Sequence, residues 1–226
     1  MSRRVSTLFQ QAWPQTPEFD AISHAWPDHV VVEMLSLVWS GFDRMKTLHL
    51  KAVDFSQTIH QLERSLTDLH AREITLLWKA QCNGFESFLP KHEAWELASC
   101  SSPSAMPTSY DFGFELVSDP RLRWPVEAKI LADDRDVSRY LDDLRNKYLT
   151  GKGAPFSRSA ALIGYLRSGM PNAALSAIAA SLKQELVAYV PFKARAHRTS
   201  HHRKKLGTKP TQAISDFVCH HLIAAL

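Results

Sequence analysis

The stretch SYDFGFELVSDPRLRWPVEAKIL, residues 109–131, constrains the fold more than any other part of the chain. Its aromatic and aliphatic residues recur at every second position on both sides of Ser118-Asp119-Pro120, which is a turn-forming sequence. This pattern is typical of a buried β-hairpin. The hairpin must nevertheless accommodate four charged residues near its core: Asp111, Glu115, Glu127 and Lys129.

The alternation of side chains in a strand explains how the hairpin accommodates these charged residues. A hairpin centred near Asp119 pairs position 111 with position 127. Asp111, Glu127 and Lys129 then share one face, and Phe112 and the other apolar residues share the opposite face. A longer loop would slip the register and weaken this interpretation, because one step moves every side chain to the other face.

Two carboxylates at close range repel each other unless a proton or a cation lies between them. Asp111 and Glu127 are therefore suited to a hard divalent ion, Mg²⁺ or Mn²⁺, with the backbone carbonyl of Ala128 as a further oxygen ligand. Lys129 could orient a water molecule or stabilise charge on a phosphoryl group. An acid, followed by acid-x-Lys around a metal ion, is the chemistry of phosphodiester cleavage.

The flanking segments predict helices and a buried strand. We expect a helix over 27–48 that is interrupted or ends near Gly41, and a second helix over 55–79 with one apolar stripe. Glu73 lies on that stripe, where a carboxylate is costly unless it is paired or coordinates an ion. The members of the stripe are Leu62, Leu66, Leu69 and Leu76.

After the hairpin the chain predicts a helix over 136–148, a strand buried on both faces over 160–166, a helix over 173–187 and a last strand near the end. This order indicates an α/β (α+β) fold with a mixed central β-sheet flanked by helices and an N-terminal helical layer. We divide the 226 residues into an N-terminal helical segment, 1–54, which could be a docking layer, and a main domain, 55–226.

The hairpin resembles the PD-(D/E)XK, or restriction-endonuclease-like, superfamily of nucleases. The motif of that superfamily matches Asp111 and then Glu127-Ala128-Lys129, although Tyr110 rather than a proline precedes Asp111. The resemblance covers roughly residues 62–226. It implies a restriction-endonuclease-like core, a helix after the E-x-K strand, and a glutamate in the helix before the hairpin. We match that glutamate to Glu73.

Several other residues bear on the site. Glu115 is a rival for the first acid, although we expect it to face solvent or to pair with Arg121 or Arg123. His220 and His221 are expected to be structural, with one on each face of the last strand. A basic cluster is predicted to contact phosphates without sequence preference: Arg195, Arg198, His201, His202, Arg203, Lys204 and Lys205.

Composition limits the remaining alternatives. The net charge of +4 and the pI of about 9.0 favour a polyanionic partner only mildly. Three scattered cysteines without a C-x-x-C spacing argue against disulfides and structural zinc. The start of the chain has no signal-peptide core, and no window resembles a transmembrane helix. We therefore expect a cytoplasmic protein with no membrane segment.

Together these features lead to the hypothesis of a Mg²⁺- or Mn²⁺-dependent endonuclease that acts on DNA, in restriction or in prokaryotic antiphage defence. Asp111, Glu127, Lys129 and Glu73 would form its catalytic set. The alternative is a catalytically weak nucleic-acid-binding or interaction subunit of a larger complex. In either case the N-terminal segment could bind a protein partner or a second copy of the chain.

Overall fold

The computed structural model describes residues 26–84, 86–96, 108–153, 155–205 and 214–226. The helices are α1 (Asp28–Leu48), α2 (Ile59–Gln81), α3 (Ser138–Asp143), which continues as a π-helical turn (Leu144–Tyr148), and α4 (Pro171–Leu182). The strands are β1 (Phe88–Glu96), β2 (Thr108–Leu116), β3 (Asp119–Leu131), β4 (Ser159–Leu166), β5 (Val187–Ala188), β6 (His197–Lys205) and β7 (Ile214–Ala225). Short 3₁₀ turns lie at Leu50–Ala52 and Val190–Phe192.

These strands form one mixed sheet in the order β1-β2-β3-β4-β7-β6-β5. The pairs β1–β2 and β2–β3 are antiparallel, whereas β3–β4 and β4–β7 are parallel. The outer pairs β7–β6 and β6–β5 are again antiparallel. The predicted mixed sheet flanked by helices is therefore confirmed at this level.

The register of the central hairpin agrees with the sequence. Phe112 lies opposite Val126, which is the register that the prediction for Asp111 and Glu127 requires, and the pairing of the two strands ends at this step. The predicted turn is wrong by a small amount, because β3 already begins at Asp119 and the turn consists of residues 117–118. A register shift at the end of β2 absorbs the difference.

Helices cover both faces of the sheet. On one face, α1 and α2 pack against the aromatic side chains of β2 and β3, including Phe112 and Trp124. On the other face, α3 and α4 pack against β4 and β7 through residues such as Tyr140 and Ile178. The middle strand β4 is buried along almost its whole length, as its apolar sequence predicts.

The N-terminal helix belongs to the same core as the sheet. Met34 and Val38 of α1 lie in one cluster with Leu62 of α2 and Phe112 of β2. The division at residues 54 and 55 therefore does not separate two cores. Residues 1–25 of the proposed docking segment lie outside the described ranges.

The expected interruption of α1 at Gly41 is wrong. The helix continues through Gly41 to Leu48, and Gly41 is buried where α2 crosses it. A β-carbon at this position would lie 2.6 Å from Cγ1 of Ile74 and 3.2 Å from its backbone nitrogen. The glycine is thus required for the close approach of two helices, and it does not end the helix.

Replacement of Gly41 by valine is expected to destabilise the protein by about 1–3 kcal/mol, because the new side chain overlaps α2. Thermal unfolding should show a loss of about 3–10 °C in Tm. Ser40→Val is the matched control, since Ser40 is exposed one position earlier in the same helix. Equal Tm values for the two variants would contradict this close packing.

The apolar stripe of α2 is confirmed only in its first part. Leu62 and Leu66 are fully buried, but Leu76 is 42% exposed and Ile74 takes the buried position instead. The helix begins with a capping box between Thr58 and Gln61. Within the described ranges, no helix combines the length and the apolar character needed to cross a membrane.

Candidate active site

Strands β2 and β3 separate at one end of the hairpin, and we call the gap between them beyond Phe112 and Val126 the notch. Within the described strands, the pairing of β2 with β3 ends at Phe112 and Val126. Beyond this point two backbone N–H groups of β3 are satisfied by carboxylates instead. Ala128 N donates to Oδ2 of Asp111 at 2.7 Å, and Ile130 N donates to Oε2 of Glu63 at 3.2 Å. The notch therefore brings two acids to the edge of the E-x-K strand.

Lys129 lies at the centre of this notch. Its Nζ donates to the carbonyl oxygen of Ala128 at 2.8 Å. The same atom lies 3.0 Å from Asp143 Oδ2, 3.4 Å from Glu63 Oε1 and 3.9 Å from Asp111 Oδ2. The ammonium group thus has oxygen neighbours from β2, β3, α2 and α3.

The charges around Lys129 fix its protonation state. Burial alone would lower the pKa of Lys129, but Asp111, Asp143, Glu127 and Glu63 together raise it above the ordinary lysine value. The side chain therefore keeps its proton. It is suited to stabilising negative charge rather than to removing a proton from water.

Glu127 is the most buried acid of the notch, with 1% of its side chain exposed. Burial raises its pKa well above the usual range, and the charges of Asp111 and Asp143 raise it further. Its Oε1 forms an ion pair with Nζ of Lys147 at 2.9 Å, which partly offsets this rise. Because the notch carries excess negative charge, a bound proton or cation would stabilise Glu127.

Helix α3 supplies a carboxylate, that of Asp143, which the sequence did not predict to be part of the cluster. Asp143 contacts Lys129, and its other oxygen lies 3.2 Å from Nζ of Lys147. One indication was present in the sequence, because Asp143 follows the core residue Tyr140 by three positions and so lies near the buried face of the helix. Its contact with β3 depends on tertiary packing.

The prediction that Glu73 joins the cluster is wrong, and Glu63 takes that place. Glu73 accepts a hydrogen bond from Arg44 Nε at 2.9 Å and contacts His49 Nε2 at 2.9 Å. Burial raises the pKa of Glu73, but hydrogen bonds from these two partners outweigh it and lower the pKa. Glu63 precedes Glu73 by ten residues, or about 15 Å along the helix axis, and it is the glutamate of α2 that contacts Lys129.

Glu115 is not the first acid of the cluster. It pairs with Arg123 at 3.2 Å, as one of the predicted alternatives states, and it lies 3.5 Å from Lys91. It follows Asp111 by four positions on the same face of β2, which separates the two residues by about 13 Å. The acid that reaches β3 at the notch is Asp111.

A cavity of about 250 Å³ opens beside the notch, between α2 and β1. Glu63 and Asp111 line it, together with Asp68, His92 and Glu93. The side-chain ligand atoms of these last three residues lie within 4.8 Å of one another on the exposed surface. Of the acids of the notch, Glu63 and Asp111 are therefore accessible from solvent on this side.

The predicted basic strip is a strand, β6, and not an open loop. The residues of β6 alternate between the two faces of the sheet. Two members of the predicted basic cluster already have partners. Arg195, just before the strand, pairs with Asp43, and its Nη1 donates to Oδ1 at 2.9 Å. Lys204 is fully buried and donates to the carbonyl oxygens of Gly153 and Ser157. These two side chains do not present free charge to a polyanion.

The other members of the basic cluster differ in solvent exposure. His201 and Arg203 are exposed, whereas His202 is half-buried. Arg198 is also half-buried and donates to a backbone carbonyl of its own strand. The side chain of Lys205 lies outside the described residues. Strand alternation divides the described members of the cluster between two faces, and it leaves His201 and Arg203 exposed on one of them.

His220 and His221 are structural, as predicted, with one on each face of β7. His220 Nδ1 lies 3.2 Å from His197 Nε2. On the other face, His221 contacts the hydroxyl of Tyr140 at 3.1 Å and that of Ser200 at 2.7 Å. These contacts join β6, β7 and α3.

Comparison of the chain with protein-family models, curated proteins and solved structures gives no match.

Proposed function

We propose that the protein is a metal-dependent nuclease that hydrolyses phosphodiester bonds in DNA. The observation that carries this proposal is the notch itself. Four carboxylates, those of Glu63, Asp111, Glu127 and Asp143, surround the lysine of an E-x-K strand. Such a concentration of acids is costly in a fold unless a cation balances it.

The acids of the notch fit Mg²⁺ or Mn²⁺. Asp111, Glu127 and the carbonyl oxygen of Ala128 supply the hard oxygen ligands that these ions prefer. The burial of Glu127 beside Asp111 and Asp143, which raises its pKa well above the usual range, supports this assignment. A bound divalent ion supplies Lewis acidity, which neutralises phosphate charge and makes a water molecule more acidic.

The protein's own residues would position the substrate and stabilise its charge. Lys129 keeps its proton and can stabilise the negative charge that develops on the phosphoryl oxygens. In the reaction a water oxygen bonds to phosphorus, and the bond from phosphorus to the leaving sugar oxygen breaks. The attacking water gives up one proton and the leaving oxygen takes up one, so the products are a phosphomonoester and a hydroxyl group.

The order of elements around the notch supports a restriction-endonuclease-like core as part of this proposal. A helix with an acid, α2, precedes the hairpin. The hairpin carries the acid and the E-x-K sequence on β2 and β3, and a helix, α3, follows. This is the arrangement that the sequence resemblance implies, with Glu63 in place of Glu73 as the helical acid.

Lys129→Ala is expected to reduce cleavage of supercoiled plasmid in Mg²⁺ or Mn²⁺ by at least about a hundredfold, because one preorganised charge is lost. Lys79→Ala is the matched control, since Lys79 is an exposed lysine at the end of α2. A parallel assay with RNA would test the choice of DNA as substrate. EDTA should abolish cleavage by the wild-type protein.

Failure of the wild-type protein to cut DNA with either ion would overturn the proposal. Cleavage that survives in Lys129→Ala would show that another site, or a contaminant, is responsible. DNA binding without cleavage would favour the alternative of a nucleic-acid-binding subunit.

A further inference from the structure

A second ammonium group, that of Lys147, lies among the acids of the notch. Its Nζ is 2.9 Å from Oε1 of Glu127 and 3.2 Å from Oδ1 of Asp143. The ammonium group therefore forms ion pairs with both carboxylates. The proposed function does not assign a role to this residue.

The backbone of Lys147 is held firmly in place. It lies in the π-helical turn, whose flanking residues Leu144 and Tyr148 are both fully buried. The carbonyl oxygen of Lys147 accepts a hydrogen bond from Gly153 N at 2.8 Å. The turn ends the helix, as π-turns commonly do, and Leu149 N closes it by donating to the carbonyl oxygen of Leu144 at 2.9 Å.

The side chain of Lys147 is held less firmly than its backbone. Its ammonium group lies 2.9 Å from Glu127 Oε1, and 30% of the side chain is exposed. The structural ion pair of Glu73 is different, because both oxygens of that carboxylate make hydrogen bonds at 2.9 Å. The contacts of Lys147 are therefore those of a neutralising charge that solvent can reach.

We propose that Lys147 competes with the divalent cation for Glu127 and Asp143, and that its released ammonium group binds a phosphate of the substrate. This inference rests on the proposed metal and phosphate site and extends it by one residue. A cation that neutralises the two carboxylates removes the attraction that holds Lys147 in the notch. A mobile, exposed lysine beside the cleavage site is then a suitable point charge for a phosphodiester.

Arg139 strengthens the choice of a polyanion as the ligand. It precedes Lys147 by eight residues and is 40% exposed, and its Nη2 lies 3.7 Å from Oε2 of Glu63. Both cations thus extend from the segment after β3 toward acids of the notch, Arg139 toward Glu63 and Lys147 toward Glu127 and Asp143. Once a cation neutralises those acids, this side of the notch carries net positive charge.

Two binding measurements test the inference, with Lys147→Met compared with Lys152→Met. Lys152 is an exposed lysine five residues further along the chain. Calorimetric titration with Mn²⁺ should show about tenfold tighter binding by Lys147→Met, because a competing charge is removed. Fluorescence anisotropy of a labelled DNA duplex in Ca²⁺ should show about tenfold weaker binding by the same variant. Lys152→Met should match the wild type in both measurements.

Lys147→Arg keeps the charge and should retain DNA binding within about threefold, which distinguishes a phosphate contact from a loss of packing. Unchanged or weaker Mn²⁺ binding by Lys147→Met, or unchanged DNA binding, would overturn the inference. Lys147→Gln replaces Lys147→Met if thermal unfolding shows that the latter is not folded. If both binding effects appear and the wild-type protein cuts no DNA, the proposed nuclease activity fails while this inference stands.

Discussion

Acidification from pH 7 to about pH 5 is expected to unfold the protein cooperatively, because four histidines are buried in the neutral form. Burial lowers the pKa of His70 to about 4, that of His197 to about 2, and those of His220 and His221 to about 3. His197 Nε2 and His220 Nδ1 lie 3.2 Å apart, so the two rings repel when both are charged. Protonation of any of these rings therefore opposes the fold.

The direction of the effect follows from linkage. The folded pKa values lie below the unfolded value of about 6.5, so the stability that these histidines contribute is fully present above about pH 6.5. It is lost as the pH falls toward the folded values. Each such histidine costs about 1.4 kcal/mol per pH unit in this range, and four together cost about 5 kcal/mol per unit. A typical total stability of about 5–15 kcal/mol is exhausted within about one to three units.

Urea unfolding at pH 7.0, 6.0 and 5.5, followed by circular dichroism, measures this slope. His221→Gln should reduce the slope by about 1.4 kcal/mol per pH unit, whatever its effect on stability at pH 7. His29→Gln is the control, because His29 is exposed at the start of α1. A stability that stays constant from pH 7 to pH 5 would contradict burial of the neutral rings.

The second large effect is a contrast between two glutamates of one helix. Glu63→Gln is expected to reduce metal-dependent cleavage by at least about a hundredfold with little change in Tm, because Glu63 contacts Lys129 at the notch. Glu73→Gln is expected to leave cleavage by the folded protein unchanged. It should lower stability by about 1–3 kcal/mol, because it weakens buried contacts with Arg44 and His49.

Plasmid cleavage below the Tm of both variants, together with thermal unfolding, separates the two effects. Each variant is the control for the other, since the substitution, the helix and the change in charge are the same. If Glu73→Gln abolished cleavage at full stability and Glu63→Gln did not, the assignment from the sequence would be right and that from the structure wrong.

The hairpin was predictable because its sequence determines its register. Alternating apolar residues fix which face of each strand is buried, and this in turn sets the register that pairs Phe112 with Val126. The strand β6 was not predictable in this way, because HRTSHHRKK has no apolar alternation. Pairing with β7 and side-chain contacts, such as that of Ser200 with His221, stabilise it instead.

The choice between Glu63 and Glu73 depends on information that is absent from a single helix. Periodicity favours Glu73, which lies on the apolar stripe, over Glu63, which lies beside that stripe. The point at which α2 crosses β3 decides which of them reaches Lys129. The same holds for Asp143, whose role depends on the way α3 packs against β3.

The central claim is that the acids of the notch bind a divalent cation. Isothermal titration of the wild-type protein with Mn²⁺, beside Glu127→Gln and Glu115→Gln, tests it most directly. We expect binding by the wild type and by Glu115→Gln, whose substituted residue pairs with Arg123 away from the notch. Glu127→Gln should bind at least about tenfold more weakly, since a charged oxygen ligand is lost. No Mn²⁺ binding by the wild type, or equal binding by Glu127→Gln, would contradict the claim.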